Sequence, residues 1–180
     1  VYWDSCAWLG LLNRESEKLV ELEYVWSRAQ NGEFEIWTST VAQLEVVKLA
    51  SERDALAQDG NATKTNVLTE DNLAKIENLF DQPFVKRVPL DVEISSRARR
   101  LFRETPGLDK PPDAAHLVSA MKWNVPVIHT YDGKDLLHLT GKVQTDDGTE
   151  IEICQPTEQP PKDLLSTIEN NDNDEEKKPD

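Results

Sequence analysis

A three-layer α/β/α sandwich around a mostly parallel sheet is the fold class this sequence predicts, on three observations. Short β-prone apolar runs recur along the chain, at Val1–Trp3, Glu35–Thr38, Phe84–Val88, Pro126–Ile128 and Ile151–Cys154. Stretches with apolar residues at helical spacing separate them, and such alternation is the signature of α/β architecture. The 180 residues suit one domain with a sizeable core.

The elements follow in order. After Val1-Tyr2-Trp3, Asp4 ends the strand and Ser5 caps a helix to about Asn13 that turns Ala7, Trp8, Leu11 and Leu12 inward. A second helix, about Ser16–Gln30, carries Leu19, Leu22, Val25, Trp26 and Ala29 on one face and stops at Asn31-Gly32. Following the strand at Glu35–Thr38, Thr40 and Gln43 form a capping box for a helix reaching about Ser51. Residues 53–68 have little to bury and read as a loop or insertion. Thr69–Phe80 and Asp91–Glu104 are amphipathic helices flanking the strand at Phe84–Val88. Pro112 opens another helix in the position where a missing N–H is harmless. The strand at Pro126–Ile128 stops at Thr130-Tyr131-Asp132-Gly133, a short helix at Lys134–Leu139 follows, and Ile151–Cys154 is a last edge strand after a polar connection.

The net charge of −14 argues at first sight against a nucleic-acid partner, but the excess is uneven. Residues 146–180 carry 12 acidic and 3 basic side chains, against 22 and 17 in residues 1–145. The domain is therefore expected over 1–155, with 156–180 an acidic tail whose final part, from about Glu169, lacks apolar anchors and is expected to be disordered. No stretch has the length of a membrane span or the pattern of a signal peptide. Cys6 and Cys154 lack metal-ligand spacing and read as free thiols of a cytoplasmic protein.

Four carboxylates stand out. Asp4 and Asp132 end predicted strands, while Glu45 and Asp113 lie along apolar helix faces. If the first and fourth strands are neighbours at a switch point of the sheet, all four converge on one pocket. Carboxylates crowded together do not ionise cheaply without a cation, and all-oxygen ligation suits Mg²⁺ or Mn²⁺. Such a site activates water and stabilises charge on a phosphodiester. Taken singly, each has a plainer role: Asp4 as a helix cap, Asp113 as a partner of the helix dipole, Glu45 reaching solvent, Asp132 as a turn residue.

The ordered set Val1-Tyr2-Trp3-Asp4-Ser5, Glu45 after Ser39-Thr40, Asp113-Ala114-Ala115-His116 with Ala120, and His129-Thr130-Tyr131-Asp132 before Lys134-Asp135-Leu136 resembles the PIN-domain nucleases over about residues 1–140. The stand-alone VapC-like branch is the nearest in pattern. The resemblance implies a Mg²⁺- or Mn²⁺-dependent endoribonuclease, often a homodimer and often a toxin neutralised by a small antitoxin. By position it makes Asp4, Asp113 and Asp132 metal ligands and Glu45 a further catalytic residue. Some relatives carry asparagine at the position of Asp132, which leaves its share against that of nearby Asp135 open. The insertion and the acidic tail depart from the short toxins.

Arg97, Arg99, Arg100, Arg103 and Lys110 are candidate RNA-phosphate contacts, or else a plain solvated face. His116, one turn after Asp113, reads as a packing residue supporting the site, and His129 and His138 as structural. The five tryptophans fall mostly on apolar stripes, so core packing outranks base stacking. Two other functions fit the same residues: a catalytically inactive PIN-like scaffold binding a protein partner, and a metal-dependent phosphatase acting on small esters.

Overall fold

A computed structural model of the chain describes residues 1–158. Its single sheet has five strands, β1 (Tyr2–Trp3), β2 (Ile36–Ser39), β3 (Val85–Val88), β4 (Val127–His129) and β5 (Glu152–Cys154). Their order is β3-β2-β1-β4-β5, and every neighbouring pair is parallel. The expected pairing of the first and fourth strands is present, and β5 is an edge strand as anticipated. Chain order reverses about β1, which makes its C-terminal end a switch point where α/β sheets open a crevice.

Helices α1 (Ser5–Leu12) and α2 (Leu19–Gln30) cover one face. On that side Trp3, Trp8, Leu22, Val25, Ile36 and Phe80 form one core cluster. Helices α7 (Val92–Glu104) and α8 (Pro111–Lys122) cover the other, where Tyr2, Ile94, Leu117 and Ile128 form the second. The two residues of β1 divide between these clusters, Tyr2 to one and Trp3 to the other, because successive strand side chains point to opposite faces. Helix α8 is buried from Asp113 to Ala120, and its Ala114, Ala115, Ser119 and Ala120 are small enough to lie close on the sheet.

The largest departure from the sequence-based expectation lies between residues 40 and 68. The expected helix to Ser51 stops at Glu45, giving α3 (Thr40–Glu45) with Ser39 as its cap instead of Thr40. Two further helices, α4 (Ala50–Gln58) and α5 (Lys64–Val67), occupy much of the expected loop. Glu52 organises the segment. Buried there, it accepts hydrogen bonds from the backbone N–H groups of Leu49 and Thr69 and from the Asn72 amide. The third link carries it to α6 (Glu70–Phe80). A buried carboxylate needs such partners, and none is visible in the local pattern of residues 53–68. Helix α2 starts at Leu19, three residues later than its apolar periodicity suggested. The acidic tail expected over 156–180 lies, beyond residue 158, outside the described residues.

Candidate metal centre

A helix that precedes a parallel strand runs back across the sheet, so α8, leading into β4, begins at the C-terminal edge. That sets the Asp113 carboxylate, in the first turn of α8, beside the chain leaving β4 at Thr130–Asp135. Oxygen atoms of Asp113, Asp132 and Asp135 all lie within 4.8 Å of one another.

Each carboxylate is held differently. Asp132 Oδ1 accepts from the backbone N–H groups of Lys134 at 3.0 Å and Asp135 at 2.8 Å, closing a tight turn. Burial pushes its pKa up, but the Lys110 ammonium and these N–H groups outweigh it and hold the carboxyl below its ordinary range. Asp135 is fully buried and its Oδ1 has no hydrogen-bond partner. Its Oδ2 meets the Lys110 ammonium at 2.6 Å, as an ion contact off the hydrogen-bonding directions. Asp113 Oδ2 also lacks a hydrogen-bond partner. Burial, with the charges of Asp132 and Asp135, raises Asp113 to about 6 against the pull of Lys110 and His116.

Asp4 and Glu45 stand outside this trio. Asp4, buried at the end of β1, accepts from Ala7 N–H at 3.0 Å as the cap of α1 and takes the Thr130 hydroxyl on its other oxygen. Its pKa is raised, chiefly by burial. The Thr130 oxygen in turn accepts from Asp132 N–H at 2.9 Å, so Asp4 reaches the trio through Thr130. Its field also meets theirs at Cys6, whose thiol burial pushes to about 12, with Asp4, Asp132 and Asp113 adding to the rise. Of the expected ligands Asp4, Asp113 and Asp132, the fold brings Asp113 and Asp132 together with Asp135, while Asp4 adjoins them through Thr130. The spacing Asp132-x-x-Asp135 was the sequence signal for Asp135.

Glu45, the last residue of α3, is half-buried and hydrogen-bonds His116 Nε2 at 3.0 Å. Burial pushes the Glu45 pKa up, yet the His116 bond brings it below its ordinary range. On its other side, His116 Nδ1 lies 2.8 Å from the Tyr2 hydroxyl. One ring nitrogen thus faces the buried Tyr2 phenol, whose pKa burial raises, and the other faces the Glu45 carboxylate. The fully buried His116 thereby ties Glu45 to the core through β1. It supports the site from behind, as its position one turn after Asp113 suggested.

The basic residues divide. Arg97 forms a two-pronged pair with Asp146 at 2.6 and 2.7 Å. Its carboxylate partner lies 49 positions on, beyond any local pattern. Arg99 and Arg103 border an apolar groove of about 610 Å³ beside Glu45, lined by Val41, Leu44, Leu90 and Phe102. Arg100 is exposed on the same helix. Lys110 does not stand on the rim but points its ammonium among the carboxylates, 2.6 Å from Asp132 and 3.7 Å from Asp113. His129 is buried, accepts from Trp3 Nε1–H at 3.2 Å and is lowered to about 4, mainly by burial, which fits a structural role. Trp3 and Trp8 are fully buried, whereas Trp123 is 44% exposed and lies against Trp37.

The donor set suits a hard cation. All three groups are carboxylates, three buried oxygens (Asp113 Oδ2 and both of Asp135) make no hydrogen bond, and the turn at Asp132 orients its carboxylate. Cys6 and Cys154 are free thiols outside the group. Among the described residues no helix is long and apolar enough to cross a membrane.

Comparison with known proteins bears on the family and the fold. The PIN domain family model matches residues 1–141. Among solved structures the chain is similar to the crystal structure of Mycobacterium tuberculosis VapC20, a sarcin-ricin loop cleaving toxin. The TM-score is 0.54 at 11% identity, over 73% of this chain and 89% of that one. At that identity the likeness is one of fold. Comparison with curated proteins gives no match.

Proposed function

The chain belongs to the PIN domain family, and from that premise we propose that it is a Mg²⁺- or Mn²⁺-dependent endoribonuclease of the VapC-like kind, the toxin of a toxin–antitoxin pair. The observation that carries the reading is the meeting of Asp113, Asp132 and Asp135 within 4.8 Å, with buried oxygens that make no hydrogen bond. In this reading these three hold the ion. When bound, a divalent ion supplies Lewis-acid charge for the phosphodiester and lowers the pKa of a water molecule. Asp4 keeps Thr130, and through it Asp132, in register. Glu45, kept anionic by His116, orients the attacking water, and Arg99 and Arg103 receive RNA phosphates on the approach past α7. The activity named for VapC20, which has this fold, supports RNA as the substrate class.

The apolar groove beside Glu45 offers an antitoxin a place next to the site, with Leu44 73% exposed and Arg99 and Arg103 ready for an acidic flank. A homodimer and a cytoplasmic setting belong to the same proposal, the latter consistent with two free thiols.

The test is cleavage of a structured RNA by the full chain in Mn²⁺. Cleavage is expected, EDTA stops it, and at limiting Mn²⁺ the rate is flat above about pH 7 but falls about tenfold per unit below pH 6, a fall that saturating Mn²⁺ moves to lower pH. The sign follows from Asp113: its raised pKa of about 6 means that it takes up a proton below that pH and ceases to be a ligand. A folded chain that cuts no RNA fits the inactive scaffold and overturns the reading. So does hydrolysis of a chromogenic phosphate ester without RNA cleavage, which fits the phosphatase.

His116→Phe keeps a planar ring of somewhat larger volume and removes both hydrogen bonds. It leaves the Tyr2 hydroxyl to Ser39 and Ser119, at a cost of about 1 kcal/mol, and frees Glu45. Cleavage is expected to fall about tenfold to a hundredfold, with Mn²⁺ affinity unchanged in a calorimetric titration. A variant with wild-type rate would remove His116 from the account.

A further inference from the structure

Lys110 occupies a position that its own helix disfavours. It is the N-cap of α8, makes no capping hydrogen bond, and puts a positive charge at the positive end of the helix dipole. Pro111 restricts its backbone to the extended region it adopts, φ −120° and ψ 125°, so the direction of the side chain is set by the chain and not by a local bond. What compensates is the acidic trio. Lys110 Nζ lies 2.6 Å from Asp132 Oδ2, 2.6 Å from Asp135 Oδ2 and 3.7 Å from Asp113 Oδ2. The ammonium therefore sits in the space shared by all three carboxylates. Yet the side chain is 54% exposed, whereas Asp135 is wholly buried. Lys110 has an open path to solvent, whereas Asp113 and Asp132 keep only 9% and 11% of their side-chain surface exposed.

We propose that Lys110 is a tethered competitor of the divalent ion, its ammonium holding the place among Asp113, Asp132 and Asp135 until the ion displaces it. This rests on the reading of the trio as a metal site. A Mg²⁺ ion needs its carboxylate oxygens at about 2.0–2.1 Å, and an ammonium group in the same hole excludes it. Occupancy by Lys110 reduces the fraction of chains competent to bind, and the apparent affinity falls by that fraction. It also protects the metal-free fold, because three clustered carboxylates never stand without a cation. On displacement the ammonium moves into solvent at the mouth of the site.

The test measures Mn²⁺ binding to the full chain without RNA, by calorimetry. Lys110→Met is expected to bind Mn²⁺ about tenfold or more tightly than wild type. Lys110→Arg, which keeps the charge, stays within about threefold. Lys134→Met is the control for a general charge effect: Lys134 pairs with Asp109 outside the trio, and its removal is expected to change affinity by less than about twofold. A second measurement needs no variant. Acetylation of Lys110 by acetic anhydride, read by mass spectrometry on the wild-type chain, rises several-fold when Mg²⁺ is added, while that of Lys134 does not. Mn²⁺ binding that is unchanged or weaker in Lys110→Met, or Lys110 acetylation indifferent to Mg²⁺, overturns the competition and leaves the metal site standing. Absence of Mn²⁺ binding in both wild type and Lys110→Met overturns the two together.

Discussion

Asp113→Asn is expected to lower RNA cleavage by about 10³-fold, the loss of several kcal/mol of metal-assisted stabilisation, while making the metal-free protein more stable. Both effects come from one side chain. Asp113 is 7% exposed, its Oδ2 has no hydrogen-bond partner, and its pKa is raised to about 6, first by burial and then by Asp132 and Asp135. A carboxyl whose folded pKa exceeds its unfolded value binds its proton more tightly in the folded state. Its contribution therefore declines as pH rises from the model-compound value of 3.8 towards 6 and is unfavourable at neutral pH. Asparagine removes that charge at nearly constant shape, and a gain of about 1–2 kcal/mol without metal is expected, somewhat below the full effect of the shift because the new amide also needs partners. Saturating Mn²⁺ reverses the order, since ligand binding stabilises only the chain able to bind. Thermal unfolding with and without Mn²⁺ reads the crossover. A variant that still cuts, or that is less stable than wild type in EDTA, removes Asp113 from the site.

Trp8→Ala is expected to destabilise the fold by about 3–5 kcal/mol, a large share of the 5–15 kcal/mol typical of a domain. Trp8 is fully buried, packs edge-on against Trp3 at 5.0 Å and Trp26 at 6.2 Å, and meets Phe80 at 4.7 Å. Its Nε1–H donates to Thr38 Oγ1 at 3.0 Å, and Thr38 donates in turn to the Trp3 carbonyl at 2.9 Å. The indole thus clamps β1 to β2 beneath the layer that ends in Asp4. Alanine leaves a cavity and removes a hydrogen bond together, lowering the melting temperature by about 10 °C or more. Trp8→Phe recovers the packing but not the bond and is expected to fall between. A loss under about 1 kcal/mol for alanine would mean that this face of the sheet is not the core described.

The strands and most of the helices were legible because their cause is local. Alternation in Tyr2-Trp3, the proline opening α8 and the periodicity of Val92–Glu104 each act within a few residues. Between residues 40 and 68 the cause is not local. Helices α4 and α5 depend on Glu52 meeting Thr69 and Asn72, 17 and 20 positions away, and a window over 53–68 holds few large apolar residues and no visible partner for Glu52.

The candidate site divides along the same line. Asp113, Asp132 and Glu45 stood out because each sits at an element boundary or on an apolar face, where an acid is unusual. Their order along the chain, with Asp4, is what resembles PIN nucleases. The sequence by itself determined the fold class, the family pattern and the region of the chemistry. Which acid meets which partner was decided only in the folded state. Asp4 is occupied by Thr130, 126 positions away, Arg97 by Asp146 at 49, and Glu45 by His116 at 71. The same folding brings the Lys110 ammonium among the acids instead of onto a phosphate. Local propensity follows from the backbone and the nearest neighbours. The partner of a charge follows from Coulomb attraction and desolvation between groups that share no stretch of chain, and those act only once the sheet has brought them together.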